Sequence, residues 1–228
     1  QPLTRYFGGL TQEFQTDVGT LARGIVGAGV KMEYILFDDC YMSSVEVAYE
    51  LKEATRFLIA STSEMMAYGM LYATLGEFLL GNPDYGSLCE GFHDFYSTYE
   101  MMPCGTLAVT DCSELDNMAA IMKSINDRYV FDDSLQGELQ GLDGYTPVIF
   151  YDFADYVLTL CSDPVLTARF REQLERLVPY KTHTGKFYSR AKGPLPIHTF
   201  SGITISDPST NPMVLLKGTS SWYKATHE

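Results

Sequence analysis

Asp38-Asp39-Cys40 puts two carboxylates directly beside a thiol. A cysteine does covalent chemistry as its thiolate, and backbone N–H donors or positive charge nearby favour that form. Adjacent carboxylates work the other way, because negative charge raises a thiol pKa. Acids kept next to a nucleophile therefore need a second use, and holding a cationic group of a substrate is the direct one. The bland alternative for Cys40 is an inert buried thiol, the common state of free cysteine. Cys89, Cys104, Cys112 and Cys161 sit in or beside apolar stretches and read as inert. Five cysteines is an odd number and no C-x-x-C pair occurs, so a disulfide framework is not indicated. No His/Cys/Asp spacing suggests a zinc site, and no glycine-rich phosphate loop is present.

The elements around the triplet are legible. Phe14, Val18, Leu21, Ala22 and Ile25 follow helical spacing, which predicts an amphipathic helix ending near Gly27 and Gly29. Tyr34-Ile35-Leu36-Phe37 is a short unbroken apolar run of strand formers, the pattern of a buried parallel strand. It stops at the acidic pair. Ser43 and Glu46 have capping-box spacing, so a helix is expected to run from there to about Thr55, with Glu46 as part of its cap. A second apolar run, Phe57-Leu58-Ile59-Ala60, ends in Ser61-Thr62-Ser63-Glu64. Strand, helix and strand with short links form a βαβ unit, whose two strands point the same way. Asp38, Asp39, Cys40 and residues 61–70 then share one sheet edge, outside the carboxyl ends of the strands, where ligands bind in open α/β sheets.

The same style continues. Helices are expected over Asp84–Ser97, Ser113–Ile125 and Phe153–Leu160, and strands over Thr106–Thr110, Pro147–Tyr151 and Ile203–Ile205. Asp163-Pro164 is a helix start, with Asp as cap and Pro at the first position; Leu166, Phe170, Leu174 and Leu177 make its buried stripe. After Pro179 the chain turns to Gly, Pro, Thr and aromatics, and a short helical tail carries Trp222 and Tyr223. This divides the chain into a core over 1–180 and strands, loops and a short helix over 181–228 on the same domain.

Composition sets outer bounds. With 228 residues, 46% of them apolar and 20% charged, the chain is long enough to bury a core. No apolar run approaches a membrane span. A net charge of −13 argues against nucleic-acid binding, which needs Lys and Arg, and suits steering of a basic substrate. The chain does not begin with Met, and residue 1 is read as a processing site or an artificial boundary.

The segment Phe37-Asp38-Asp39-Cys40-Tyr41-Met42-Ser43-Ser44-Val45-Glu46-Val47-Ala48-Tyr49-Glu50-Leu51 closely resembles the nucleophile segment of clostripain-like cysteine peptidases, F-D-A-C-x-M-x-x-V-E-V-A-Y-E-L. Ala60 to Tyr72 is similar to that family's A-S-x-x-E…G-x-x-Y loop. Thr106 to Asp111, Ser201 to Ile205 and Ser221 to Thr226 are similar to later strands and the tail. The resemblance implies a caspase-like fold: a three-layer αβα sandwich around a mostly parallel sheet. It implies a Cys/His dyad with Cys40 as nucleophile and cleavage after a basic residue, usually Arg. Asp38 falls at the position that lines the pocket for that side chain, with Ser61 and Tyr68 expected beside it.

Three departures stand out. Asp39 replaces a small residue. Tyr68 stands where the family often carries a second acid; a phenol can stack on a cation but adds no charge, which opens the way to Lys as well as Arg. No histidine precedes Cys40, whereas the family's catalytic His does; His93, His183, His198 and His227 all follow it and match no family position. The resemblance accounts for this through maturation between His and Cys, so that the His lies on an associated light chain and this chain is the heavy one. It also implies export to the cell envelope or beyond. The competing reading is a binding protein that kept the fold without a working dyad; an acyl-transferring ligase on the same scaffold is a third. No cofactor is evident, and calcium is left open, since no D-x-D-x-D-G loop occurs.

Overall fold

The computed structural model describes residues 6–8, 15–214 and 217–228. In chain order the elements are β1 (Tyr6–Gly8), β2 (Gln15–Asp17), α1 (Val18–Gly27), β3 (Met32–Leu36), α2 (Val45–Leu51), β4 (Thr55–Ala60), α3 (Tyr72–Leu75), α4 (Tyr85–Thr98), β5 (Thr106–Asp111), α5 (Leu115–Asn126), β6 (Tyr151–Asp152), α6 (Phe153–Leu160), α7 (Pro164–Leu177), β7 (Tyr180–His183), β8 (Lys186–Ser189), β9 (Gly193–Pro196), β10 (Thr204–Ile205) and α8 (Ser221–His227). Phe14, the first residue of the predicted helical stripe, lies outside the described residues.

The central sheet has the order β3-β4-β5-β7. β3 and β4 are parallel, and β5 runs antiparallel to both β4 and β7, so three of the four strands point one way. Period-two alternation divides its side chains between two cores. Ile35, Leu58, Ala60 and Ala108 face one cluster, which takes its helical residues from α1, α2, α5, α6, α7 and α8. Tyr34, Leu36, Phe57, Ile59, Leu107 and Val109 face the other, built with α3 and α4. Helices thus cover both faces, giving the expected αβα sandwich. Trp222 of α8 is fully buried in the first cluster, edge-on to Tyr49 and Phe153.

Helix starts follow capping chemistry. Asp17, Asp84, Asp152 and Asp163 each accept N–H groups from the first turns of α1, α4, α6 and α7. Two expectations need correction. β3 is not buried on both faces: among the described residues it borders the sheet, Met32 is 45% exposed, and Tyr34 to Leu36 are half-buried. The capping box at α2 is also displaced. Ser44 is the cap, accepting the Val47 N–H, while the Ser43 hydroxyl donates to the Gly202 carbonyl. Glu46 does not cap. Its Oε1 accepts the N–H (2.8 Å) and hydroxyl (2.6 Å) of Ser206, tying α2 to the segment after β10.

Glu46 meets a second buried acid there. Its Oε2 and the Oδ2 of Asp207 are sealed from solvent without a hydrogen-bond partner. Burial first, then the Glu46 charge, push the Asp207 carboxyl up to about 7, with Lys217 opposing. Tyr156 also feels Asp207, and the Lys217 ammonium donates to the Asp207 carbonyl. Folded Asp207 keeps its proton to about pH 7, whereas an unfolded one releases it near pH 4. Its contribution is therefore fully present below the unfolded value and lost as pH rises toward 7. Asp207→Asn is expected to stabilise the protein above pH 7, by about 1 kcal/mol or more, and to do little near pH 4. Thermal melts of both proteins across that range check this.

Candidate active site

Cys40 sits in the turn that follows β3. Parallel pairing of Tyr34 with Phe57 and of Leu36 with Ile59 brings this turn alongside the loop that leaves β4. The two segments are stitched together: Phe37 N–H to Ile59 carbonyl (3.0 Å), Tyr41 N–H to Ser63 carbonyl (3.0 Å) and Ser43 N–H to Ser61 carbonyl (2.9 Å). The N–H of Met65 donates to the Cys40 sulfur at 3.3 Å. That is a donor a thiolate can use, and it comes from the β4 loop rather than from α2, whose cap lies four residues beyond the thiol. Tyr41 takes φ +61°, alone among described non-glycine residues in the left-handed region. Such a conformation in a bulky residue costs on the order of 1 kcal/mol and persists where its surroundings hold it.

The thiol opens into a cleft of about 620 Å³ lined by Cys40, Tyr41, Glu64, Gly144, Tyr145, Ser189, Arg190 and Ala191. Volume does not single it out, since a groove between α5 and α7 is as large; the cysteine in its lining does. Behind Cys40, Tyr41 stacks on Phe150 and packs with Ile149 and Val214. Burial, then the hydrogen bond to Glu64, hold the Tyr41 phenol far above its ordinary pKa, so it stays a donor. One wall is fixed by Asp143, which accepts the N–H groups of Tyr145, Ile149 and Phe150 at 2.7–2.8 Å. Burial pushes the Asp143 carboxyl up while these donors oppose it. Gly144 touches the opposite wall: a Cβ there would stand 1.6 Å from the Ser189 hydroxyl. Gly144→Ala is therefore expected to spread the walls, lowering peptide turnover about tenfold and stability by about 1–3 kcal/mol. Steady-state kinetics and a thermal melt measure the two effects.

Asp38 lies on another side of the nucleophile turn, exposed. Its Oδ1 accepts the Met70 N–H at 2.8 Å. Gly69 makes this close approach with φ +58°, and a Cβ there would fall 2.5 Å from Asp38 Oδ2. The carbonyl of Gly69 is held by the Tyr96 phenol at 2.8 Å. Tyr96 is pushed up to about 12 by burial and then by the Asp38 charge, and Tyr72 shifts the same way for the same reasons. Tyr68, 62% exposed, packs edge-on against Phe95 and Tyr99 next to Gly69. Two phenols, Tyr72 and Tyr96, thus feel the Asp38 charge. Ser61 reaches the expected loop, but its hydroxyl is fully buried and bonded to Thr106 (2.8 Å) and the Ser63 carbonyl. It braces the loop from behind.

None of the histidines lines the Cys40 cleft. His93 is on α4 beside Asp94, His183 packs on Phe200, His198 is exposed near Gln140, and His227 stacks on Tyr223. No group of three or more metal-ligating side chains occurs among the described residues, and none of the described helices is long and apolar enough to cross a membrane. Sequence reasoning gave no individual role to Glu64, Gly144, Tyr145 or Arg190. Glu64 ends the polar run after β4 and was within reach of the strand-end rule; the others lie 104 to 150 residues beyond Cys40, where no local pattern marks them.

Comparison with known proteins agrees with this arrangement. Residues 18–168 match the model of the Clostripain family. A search of curated proteins finds no match. Among solved structures, a clostripain from Bacteroides thetaiotaomicron in complex with the peptide inhibitor BTN-VLTK-AOMK is 63% identical, with a TM-score of 0.95; the match covers 97% of this chain and 99% of that one. A secreted C11 cysteine protease from the same organism, "iotapain", has the same identity and TM-score over 100% of this chain and 65% of that one. An inactive zymogen C11 protease from Parabacteroides distasonis is 29% identical, with a TM-score of 0.79, over 92% of this chain and 62% of that one. This chain spans less than two thirds of the latter two. The family match, the superposition and the thiol at the strand end agree: the chain belongs to the clostripain family of cysteine peptidases.

Proposed function

We propose that this chain is the nucleophile-bearing heavy chain of an endopeptidase that cleaves after a basic residue, lysine in preference to arginine. Cys40 attacks the substrate carbonyl, its N–H and a second donor hold the oxyanion, and water hydrolyses the acyl-enzyme. Asp38 holds the cationic side chain preceding the scissile bond. The observation that carries this reading is a thiol accepting the Met65 N–H and, two residues before it on the same turn, a carboxylate accepting the Met70 N–H.

Lysine preference has two supports. Met70 already occupies one Asp38 oxygen, leaving less of the carboxylate for the two-pronged fork of a guanidinium, while an ammonium acts as a point charge. The 63% identical clostripain was solved with an inhibitor whose peptide, VLTK, ends in K. Phenols around Asp38 suit either cation.

The histidine partner is assigned to a light chain seated along the outer edge of β3. Support comes from the absence of a histidine in the cleft, from the half-exposed apolar residues of β3, and from the greater length of two relatives. Secretion, stated for one relative, is carried over as part of the same proposal.

Mixing this chain with the segment that precedes it, and assaying peptides with Lys, Arg, Ala or Asp before the scissile bond, tests the reading. Cleavage after Lys and Arg, Lys the faster, is expected only when both pieces are present. Cleavage of none, with the assembled protein binding basic peptides, would establish the non-catalytic alternative instead.

A further inference from the structure

Glu64 has no part in the chemistry above, yet it stands at the centre of the site. Its neighbour Ser63 accepts the Tyr41 N–H through its carbonyl. Its other neighbour, Met65, donates its N–H to the Cys40 sulfur. Glu64 itself accepts the Tyr41 hydroxyl at 2.9 Å and the Arg190 N–H at 2.8 Å, both on Oε1. Three consecutive residues therefore grip the two-residue nucleophile turn, and the middle one also ties it to the far wall of the cleft, 126 residues along the chain.

Tyr41 explains why such a grip is needed. Its left-handed backbone sets the direction in which Cys40 leaves the turn, and a tyrosine there relaxes toward ordinary φ values unless held. Stacking on Phe150, with centroids 5.5 Å apart, holds the ring, and Glu64 accepts its hydroxyl. A shift of this turn moves the thiol relative to both the Met65 donor and the substrate carbonyl.

We propose that Glu64 is a positioning residue for Cys40: by accepting Tyr41 and Arg190 together it fixes the left-handed turn and the Met65 N–H that aim the thiol. The carboxylate is used for its accepting oxygen, and its charge is a cost, since a negative group near the thiol opposes the thiolate. This separates Glu64 from a general brace of the loop.

Three variants of the full-length protein test this by two readouts, peptide turnover per alkylatable Cys40 and the pH profile of Cys40 alkylation by iodoacetamide. The kinetic readout rests on the peptidase reading; the alkylation readout does not. Glu64→Ala is expected to lower kcat at least tenfold, the scale of a small misalignment, with KM within about twofold. Glu64→Gln keeps an accepting oxygen and is expected to recover most of that loss. Both variants are neutral, so a higher alkylation midpoint in Glu64→Ala than in Glu64→Gln reports loss of the Met65 donor rather than loss of charge. Should Glu64→Ala fail to fold, Tyr41→Phe removes the phenolic donor and keeps the stacked ring; kcat is then expected to fall about threefold or more. Equal kcat and coincident alkylation profiles in the Ala and Gln variants, a Gln variant as impaired as the Ala one, or an unaltered Tyr41→Phe each overturn the proposal. If even the parent protein cleaves no peptide, the peptidase reading fails and the alkylation profiles alone decide the role of Glu64.

Discussion

Replacing Cys40 with alanine is expected to lower peptide hydrolysis by about 10⁴-fold or more, the scale seen when a covalent nucleophile is removed. The fold should survive, because Cys40 is partly exposed and contributes only the edge of a small apolar cluster behind Tyr41. A melting temperature close to that of the parent, together with lost turnover, separates chemistry from collapse. Serine at the same position is expected to be nearly as inactive: the Met65 N–H at 3.3 Å can favour a thiolate, whereas a hydroxyl, with its far higher pKa, stays protonated beside it. The other four cysteines are buried, and none lines the cleft. Cys89 and Cys112 are pushed up to about 12, mainly by burial, and lie away from the cleft.

Asp38→Asn carries the second large effect. On substrates with lysine before the scissile bond, kcat/KM is expected to fall about a hundredfold or more, as when one partner of a desolvated charge pair is removed. On a substrate with a neutral residue there, the already low rate should barely change, so the ratio between the two is the informative quantity. Asparagine keeps an oxygen for the Met70 N–H, so the loop keeps its shape and the loss reports charge. Cys40 alkylation should persist. Steady-state kinetics with a matched pair of peptides checks this; an unchanged ratio would remove Asp38 from substrate binding. Introducing a carboxylate at Tyr68 asks a related question, since its exposed ring sits beside Gly69.

What the sequence made legible was local. Asp163-Pro164 announces α7 through capping chemistry and proline's fixed φ. Residues 153–160 appear as α6 within the predicted bounds. Cys40 after an apolar run, with a second run 20 residues on, is enough to place a thiol at the carboxyl edge of two parallel strands. Pairing direction was not legible in the same way. Thr106–Thr110 reads as a strand, but its antiparallel course between β4 and β7 depends on where the intervening α4 returns the chain. Glu46 shows how local rules fail. Its spacing from Ser43 fits a capping box, yet Ser206, 160 residues away, offers two donors to the same oxygen, and burial favours the fuller satisfaction. Asp38 and Tyr68 were named from the family resemblance, Asp38 within the nucleophile motif and Tyr68 by its place in the loop after β4. Gly144 and Arg190 were not, since what makes them matter is a contact across the cleft that exists only in the folded chain.

The central claim is that Cys40 is the one thiol poised for covalent attack, beside a pocket for a basic side chain. A lysine-terminated peptide bearing a thiol-reactive ketone, incubated with the full-length protein and followed by intact mass and peptide mapping, tests it most directly. The account predicts a single adduct on Cys40 that forms more slowly when lysine is replaced by aspartate and is absent from Cys40→Ala. An adduct on another cysteine, or equal labelling by the lysine and aspartate probes, would contradict it.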